Sequence, residues 1–327
     1  MEKDRVMGLD IPLIDKRVVN HFQQCLREDN SLALRHALLA DLALEVKLPF
    51  SMDTSSASYV PYNVFILFLQ RLRANLSSNE FIAVLLESAN QAAKELRFSA
   101  LSIQDFLDAF PIEKLSVEQS KEGLLVSFER SMQSASRVES ELFLIAYTHA
   151  YLQAHYAELG KPIRYDLMTA NSQVLSELKI QTKTPQYLGQ EQTCIHYAPL
   201  DTVGVLSVVR AKAKAKAKHM TDARKVAEAL SSYIGRIDID LDTFCALNEI
   251  GKRTAQRALK REETTYKAIK ESLVIEFAKR VISQQGYSIS DVALHLGYAD
   301  SSQFIRAFKR VNGITPYQWQ KGRRKIK

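Results

Sequence analysis

Ser301, Ser302, Gln303, Arg306, Lys309 and Arg310 fall on one side of a short stretch whose other side is apolar. Their side chains are of the kind that pairs with base edges and phosphates. A guanidinium or carboxamide can make two hydrogen bonds to one base in a major groove, and a cation further along the same helix can hold a phosphate. The apolar side is Phe304, Ala307, Phe308 and Val311, spaced i, i+3, i+4 and i+7. Just upstream, Ile289, Val292, Ala293 and Leu296 repeat that spacing. Ser288 and Asp291 form an S-x-x-D capping box ahead of them. Gly297 stands where the first helix must stop, because a left-handed residue there is cheapest for glycine. Asp300 or Ser301 can cap the second helix. Residues 288–320 therefore read as helix, tight turn and helix with a basic, polar outer face. On periodicity alone, an ordinary amphipathic pair with a solvated charged face fits equally well.

Charge placement favours a polyanion. Residues 211–327 hold 24 Lys/Arg and 12 Asp/Glu, a balance of +12, whereas residues 1–210 hold 20 and 25, a balance of −5. Only the last third of the chain is electrostatically suited to nucleic acid.

This pair is the second of two copies, and a first copy precedes it in the chain. Asp240 can cap a helix with Leu241, Phe244 and Cys245 inward, and a turn is expected over residues 248–251. Lys252–Arg261 then places Lys252, Arg253, Gln256 and Arg257 on one side and Ala255, Ala258 and Leu259 on the other. A long helix, Tyr266–Ser283, would join the two copies. Glu262 and Glu263 at the end of the first copy would repel phosphate.

The second copy has a more specific pattern than amphipathicity. Ala293, Leu296, Gly297, Tyr298, Ser301, Phe304, Arg306, Phe308, Lys309, Arg310, Gly313, Ile314, Thr315, Pro316 and Trp319 stand in the register of a known signature. That signature resembles the AraC/XylS family of bacterial transcription regulators. The resemblance implies an all-α C-terminal domain with two helix-turn-helix units, set in successive major grooves of a bent duplex. Arg306, Gln303, Ser302 and Ser301 are then the base readers of the second unit, and Arg253, Gln256, Arg257 and Lys252 those of the first. Lys309 and Arg310 would hold phosphates, with Lys252 a further phosphate candidate. The first unit departs from the pattern at Asn248 and Ala255, where leucine is common, and at Glu263, where glycine often sits.

The body reads as mixed α/β with helix dominating, so the chain as a whole is mainly α. Helices are expected within Val18–Leu44 and over Asn79–Leu96, Ser102–Phe110, Ser140–Leu159 (closed by Gly160) and 173–178. Strands are expected over Leu124–Glu129, Ile163–Leu167 and Thr193–Tyr197. The order of elements over residues 15–205 resembles the arabinose-binding-like domain of the ornithine-utilisation-type subgroup, which implies a sensing and dimerising role. The expected domains are 1–210 for sensing or dimerisation, 211–220 as linker, and 221–327 for DNA binding. Residues 211–218, AKAKAKAK, have no apolar stripe and suit a solvated linker, though they can also touch phosphate. The apolar run Val64–Leu69 and the apolar face of 140–159 are candidate dimer surfaces or ordinary core. Arg164, Tyr165, Tyr187, His196 and Tyr197 are candidate effector contacts or ordinary core and surface groups.

No catalytic constellation is read. The three cysteines, Cys25, Cys194 and Cys245, lie in no recognisable active-site sequence. That weighs against the main rival, a DNA-repair methyltransferase with an attached reader. No GxSxG, phosphate loop or HExxH occurs. His149 and His155 fall on different helix faces, so no metal site and no cofactor are expected. Residues 1–20 mix acids and bases, unlike a secretory signal, and Val64–Leu69 is too short to span a bilayer. A cytoplasmic, bacterial location is expected. The expected partners are promoter duplex DNA, a second copy of the chain, RNA polymerase if the protein activates, and an effector that the sequence does not name. The alternative is a DNA binder without effector, whose N-terminal domain only dimerises.

Overall fold

The computed structural model describes residues 8–28, 36–48, 58–95, 115–120, 123–128, 137–155, 160–170, 178, 184–199, 220–234, 238–284 and 287–324. The chain divides into two compact units, one formed by residues 12–52 and 60–219, the other by 1–11, 53–59 and 220–327. The expected helices over 102–110 and 173–178 and the linker at 211–218 lie outside the described residues, apart from Leu178.

The first unit joins a helical layer to a sheet. Its helices are α1 (Lys16–Glu28), α2 (His36–Glu45), α3 (Tyr62–Asn75), α4 (Ser78–Glu95) and α5 (Arg137–His155). Two short strands, β1 (Leu13–Asp15) and β2 (Tyr59–Pro61), precede α1 and α3. Helix α3 follows Pro61, whose ring pre-sets the dihedral of a helix entry. It buries Val64, Phe65, Ile66, Phe68 and Leu69. Helix α5 buries Leu142, Phe143, Ile145, Ala146, Tyr151 and Leu152 in the same way. Phe143 stacks edge-on against Phe65 at 5.1 Å, and the Tyr147 hydroxyl donates to Ser88 Oγ at 3.1 Å. Over the described residues, 64–69 and 140–155, both candidate dimer surfaces are therefore core of a single chain; residues 156–159 lie outside the described residues. Helix α4 begins with a capping box one residue earlier than the sequence suggests. The Glu80 backbone N–H donates to Ser77 Oγ at 3.3 Å, and the Ser77 N–H donates back to Glu80 Oε2 at 2.9 Å.

The sheet runs β3-β4-β7-β5-β6, built from β3 (Leu115–Ser120), β4 (Gly123–Phe128), β5 (Pro162–Asp166), β6 (Gln186–Tyr187) and β7 (Thr193–Tyr197). All neighbours are antiparallel except β5 and β6. Leu124, Val126 and Phe128 alternate inward with Tyr165, Ile195 and Tyr197. Glu141, only 3% exposed on α5, ties helix to sheet. It accepts from the Met168 N–H at 2.7 Å, the Thr169 N–H at 3.1 Å and the Thr193 hydroxyl.

The second unit is helical: α6 (Asp222–Ser231), α7 (Leu241–Leu247), α8 (Lys252–Arg261), α9 (Tyr266–Gln284), α10 (Ile289–His295), α11 (Ser301–Asn312) and α12 (Pro316–Arg324). Leu9 lies against α6, where its N–H donates to Asp222 Oδ1 at 2.7 Å and its carbonyl accepts from Lys225 Nζ at 3.0 Å. Ile275, Ala278 and Ile282 of α9 pack with Val292, Ala293, Phe304, Ala307 and Phe308.

Three helices of this unit end in the same hydrogen-bond pattern, with different residues in the left-handed seat. After α10, Gly297 (φ 79°) donates to Leu294 O, and the next N–H donates to Ala293 O. After α7 the seat holds Glu249 (φ 55°), with bonds to Ala246 O and Cys245 O; after α8 it holds Glu263 (φ 54°), with bonds to Lys260 O and Leu259 O. A side chain in that region costs about 1 kcal/mol more than glycine. Glu249→Gly and Glu263→Gly are each expected to raise unfolding stability by about 1 kcal/mol, and Gly297→Ala to lower it by a similar amount. A Cβ at Gly297 meets nothing within 4 Å, so the loss there is conformational and not a clash. Urea midpoints of the full chain measure all three.

Candidate nucleic-acid interface

Each helix pair starts from a side-chain cap that sets its entry angle. Asp240 Oδ1 accepts the Thr243 N–H at 2.7 Å at the start of α7. Ser288 Oγ accepts the Asp291 N–H at 3.0 Å at the start of α10, and its hydroxyl donates to Asp291 Oδ2 at 2.6 Å. Of the two candidate caps for α11, Asp300 is the one used: its Oδ1 accepts the Gln303 N–H at 2.7 Å. Gly313 (φ 74°) closes α11.

Inward faces hold the two outer helices in place. Ala255, Ala258 and Leu259 are buried under α8, and Phe304, Ala307 and Phe308 under α11. Val311, expected on that stripe, is 39% exposed, because α11 packs through its first two turns and its last turn runs clear of the core. Asn248, at a position where leucine is common, is buried. Its Nδ2 donates to Phe244 O at 2.9 Å, and its Oδ1 finds no hydrogen-bond partner among the described residues.

The outward faces carry the candidate readers. Lys252, Arg253, Gln256 and Arg257 are exposed on α8; Ser302, Gln303, Arg306, Lys309 and Arg310 are exposed on α11, with Ser301 half-buried at its start. Arg253, Gln256, Arg257 and Lys260 line one shallow depression on α8, which adds Lys260 to the sequence-derived set. Two of the cations are already paired. Lys252 Nζ lies 2.7 Å from Asp242 Oδ1, and this hydrogen-bonded carboxylate holds the ammonium above its ordinary range. Arg310 pairs with Glu271 of α9. A phosphate at either cation must compete with a carboxylate.

Glu262, expected from sequence to repel phosphate, also has a structural partner. Its Oε1 and Oε2 accept the Asp222 and Ala223 N–H groups, each at 2.8 Å, which sets the carboxylate at the positive end of α6. The sequence offers no sign of this pairing, which spans 40 residues.

The candidate effector contacts separate into two sets. Tyr165 and Tyr197 face the core and are almost fully buried. Arg164, Tyr187 and His196 are on the other side of the sheet, where the Arg164 guanidinium lies 4.2 Å from the centre of the Tyr187 ring.

Residues 244–322 match a family model described as a helix-turn-helix domain, HTH_18. That segment is an AraC-type DNA-binding domain, and it opens within α7 and closes within α12. The chain that carries it is a DNA-binding transcription regulator. A DNA-binding transcriptional dual regulator from Escherichia coli K-12 is similar at 24% identity over 32% of this chain and 95% of that one, with TM-score 0.30. The C-terminal domain of AraT, a response regulator from Geobacillus stearothermophilus, is similar at 19% identity over 31% and 84%, with TM-score 0.28. The transcriptional regulator CdpR from Pseudomonas aeruginosa is similar at 16% identity over 93% and 97%, with TM-score 0.33. No curated protein matches the chain. Among the described residues no helix is long and apolar enough to cross a membrane.

Proposed function

We propose that this regulator reads promoter DNA through α8 and α11, in the cytoplasm, under the control of a small molecule bound by the N-terminal unit. The carrying observation is the pair of core-anchored helices whose outward faces are cationic and polar, one over Arg253–Lys260 and the other over Ser302–Arg310. Base reading falls to Arg306, Gln303, Ser302 and Ser301 on α11, and to Arg253, Gln256, Arg257 and Lys252 on α8. Lys309 and Arg310 hold phosphates. The N-terminal unit, of the arabinose-binding-like kind, senses the effector, dimerises, or does both, and RNA polymerase is a partner where the protein activates. A mixed helix-and-sheet body ahead of an all-helical reader supports this division of labour. The reading without an effector stays in play. A metabolite panel scored by thermal shift of the full chain tests it: no shift by any compound leaves dimerisation as the body's role.

The roles on α11 are tested by Arg306→Ala and Lys309→Ala. Both side chains are exposed, so folding is unaffected. On the site that the full chain selects from a random duplex library, Arg306→Ala is expected to cost roughly 1–3 kcal/mol while barely changing affinity for random DNA. Lys309→Ala is expected to weaken both about equally. Equal losses from both variants on both DNAs would sink the assignment.

A further inference from the structure

On the sheet of the first unit, three groups able to ligate a metal meet on one face. Asp166 and Cys194 are direct partners across β5 and β7, and Arg164 and His196 are the next pair. Directly opposed residues share a face of a sheet, so all four project from the side opposite Tyr165 and Ile195. His196 Nε2 lies 2.8 Å from Asp166 Oδ2, and the carboxylate, thiol and imidazole atoms all lie within 4.8 Å of one another. Asp166 and Cys194 are buried, while the His196 side chain is 27% exposed, which gives an ion a way in. Histidine spacing along a helix does not reveal the trio. Its signal in the sequence is Cys194-x-His196, the alternation that puts two ligands on one face of a strand.

We propose that Asp166, Cys194 and His196 bind one borderline-soft divalent cation of the zinc class. The donor set supports this. Calcium and magnesium take oxygen ligands, whereas one thiolate, one imidazole and one carboxylate suit zinc and its transition-metal neighbours. Zinc bonds of about 2.0–2.3 Å ask these side chains for rotamer adjustments of the order of 1 Å only. On binding, the His196–Asp166 hydrogen bond gives way to bonds from Nε2 and Oδ2 to the metal, and a fourth position remains for water. The Cys194 thiol gives up its proton to solvent.

Arg164 is the positioning residue. Its Nε donates to Asp166 Oδ1 at 2.7 Å, which fixes the carboxylate and leaves Oδ2 for the metal. Its charge opposes a second cation. Thiolate and carboxylate together supply two negative charges against the ion's two positive ones, so the site stays neutral beside the guanidinium. This inference concerns metal binding alone and stands apart from the reading of effector control.

The test is cobalt(II) titration of the reduced, chelator-stripped full chain. One equivalent is expected to bind with a thiolate-to-cobalt band in the near ultraviolet, which zinc(II) then abolishes. Loss of an outer hydrogen bond alone costs 10–100-fold in metal affinity, so Cys194→Ser and His196→Gln are each expected to cost more than about 100-fold. Cys25→Ser and Cys245→Ser should keep the band; Cys25 is a pointed control because its sulfur lies 3.6 Å from His21 Nδ1. Should either ligand variant misfold by circular dichroism, X-ray absorption of the zinc-loaded wild type decides, with one sulfur neighbour at about 2.3 Å expected. Absence of the band in the wild type, its survival in Cys194→Ser, or a sulfur count other than one overturns the proposal.

Discussion

Raising monovalent salt from about 50 mM to about 200 mM is expected to weaken binding of the full chain to random duplex DNA by roughly a thousandfold. The magnitude follows from the free faces of α8 and α11. Lys252, Arg253, Arg257, Lys260, Lys309 and Arg310 are exposed cations there, able to rest on phosphates where no base pattern is read, and the segment around them carries a balance of +12. Each phosphate neutralised contributes about 0.9 to the slope of log affinity against log salt, so about six contacts give a slope near −5. Lys252 and Arg310 contribute less than a full unit each if they must first leave Asp242 and Glu271. Asp242→Asn and Glu271→Gln are for that reason expected to tighten non-specific binding and steepen the slope. Fluorescence anisotropy at four or five salt concentrations measures it. A slope shallower than about −2 would show that these faces do not carry the contact.

The helical reader is far more legible in the sequence than the body. Its signals are local: Ser288, Asp240 and Asp300 cap within three residues, Gly297 seats a left-handed turn, and Phe304, Ala307 and Phe308 repeat at helical spacing. The expected helix Lys252–Arg261 is α8 to the residue. Strand β7 spans its expected residues, and β4 and β5 match to within one residue at each end, because short apolar alternation marks them. Strands β3 and β6 carry no such mark. Strand β3 reads LSVEQS, polar on alternate residues, and is a strand because β4 pairs with it; β6 has two residues and exists through its parallel pairing with β5. Long-range roles are equally invisible. Glu262 capping α6 and Asp166 meeting His196 each depend on partners 30 or more residues away. Val311 departs from expectation for the opposite reason: its spacing is right, but the core under α11 ends before it.

Replacing Glu141 by alanine is expected to destabilise the N-terminal unit by about 3 kcal/mol. A carboxylate that is 3% exposed is costly to bury and persists only because it is fully engaged. Here the Met168 and Thr169 N–H groups and the Thr193 hydroxyl all point at it, from the loop after β5 and from the first residue of β7. Truncation leaves these buried donors facing a void, and each orphaned donor costs about 1–3 kcal/mol. Thr193 can turn its hydroxyl elsewhere, whereas the two backbone donors cannot move without unpicking the end of β5. Glu141→Gln keeps the acceptor oxygen and should lose about half as much, since its amide can satisfy one donor well but presents hydrogens to another. Because α5 and the sheet meet at this residue, the loss should appear as a lower unfolding midpoint of the first unit while the reader keeps its affinity for random DNA. Thermal denaturation followed alongside DNA titration separates the two. A Glu141→Ala chain as stable as the wild type would mean that water replaces the carboxylate without cost, and that the helix–sheet junction is held by its apolar contacts alone.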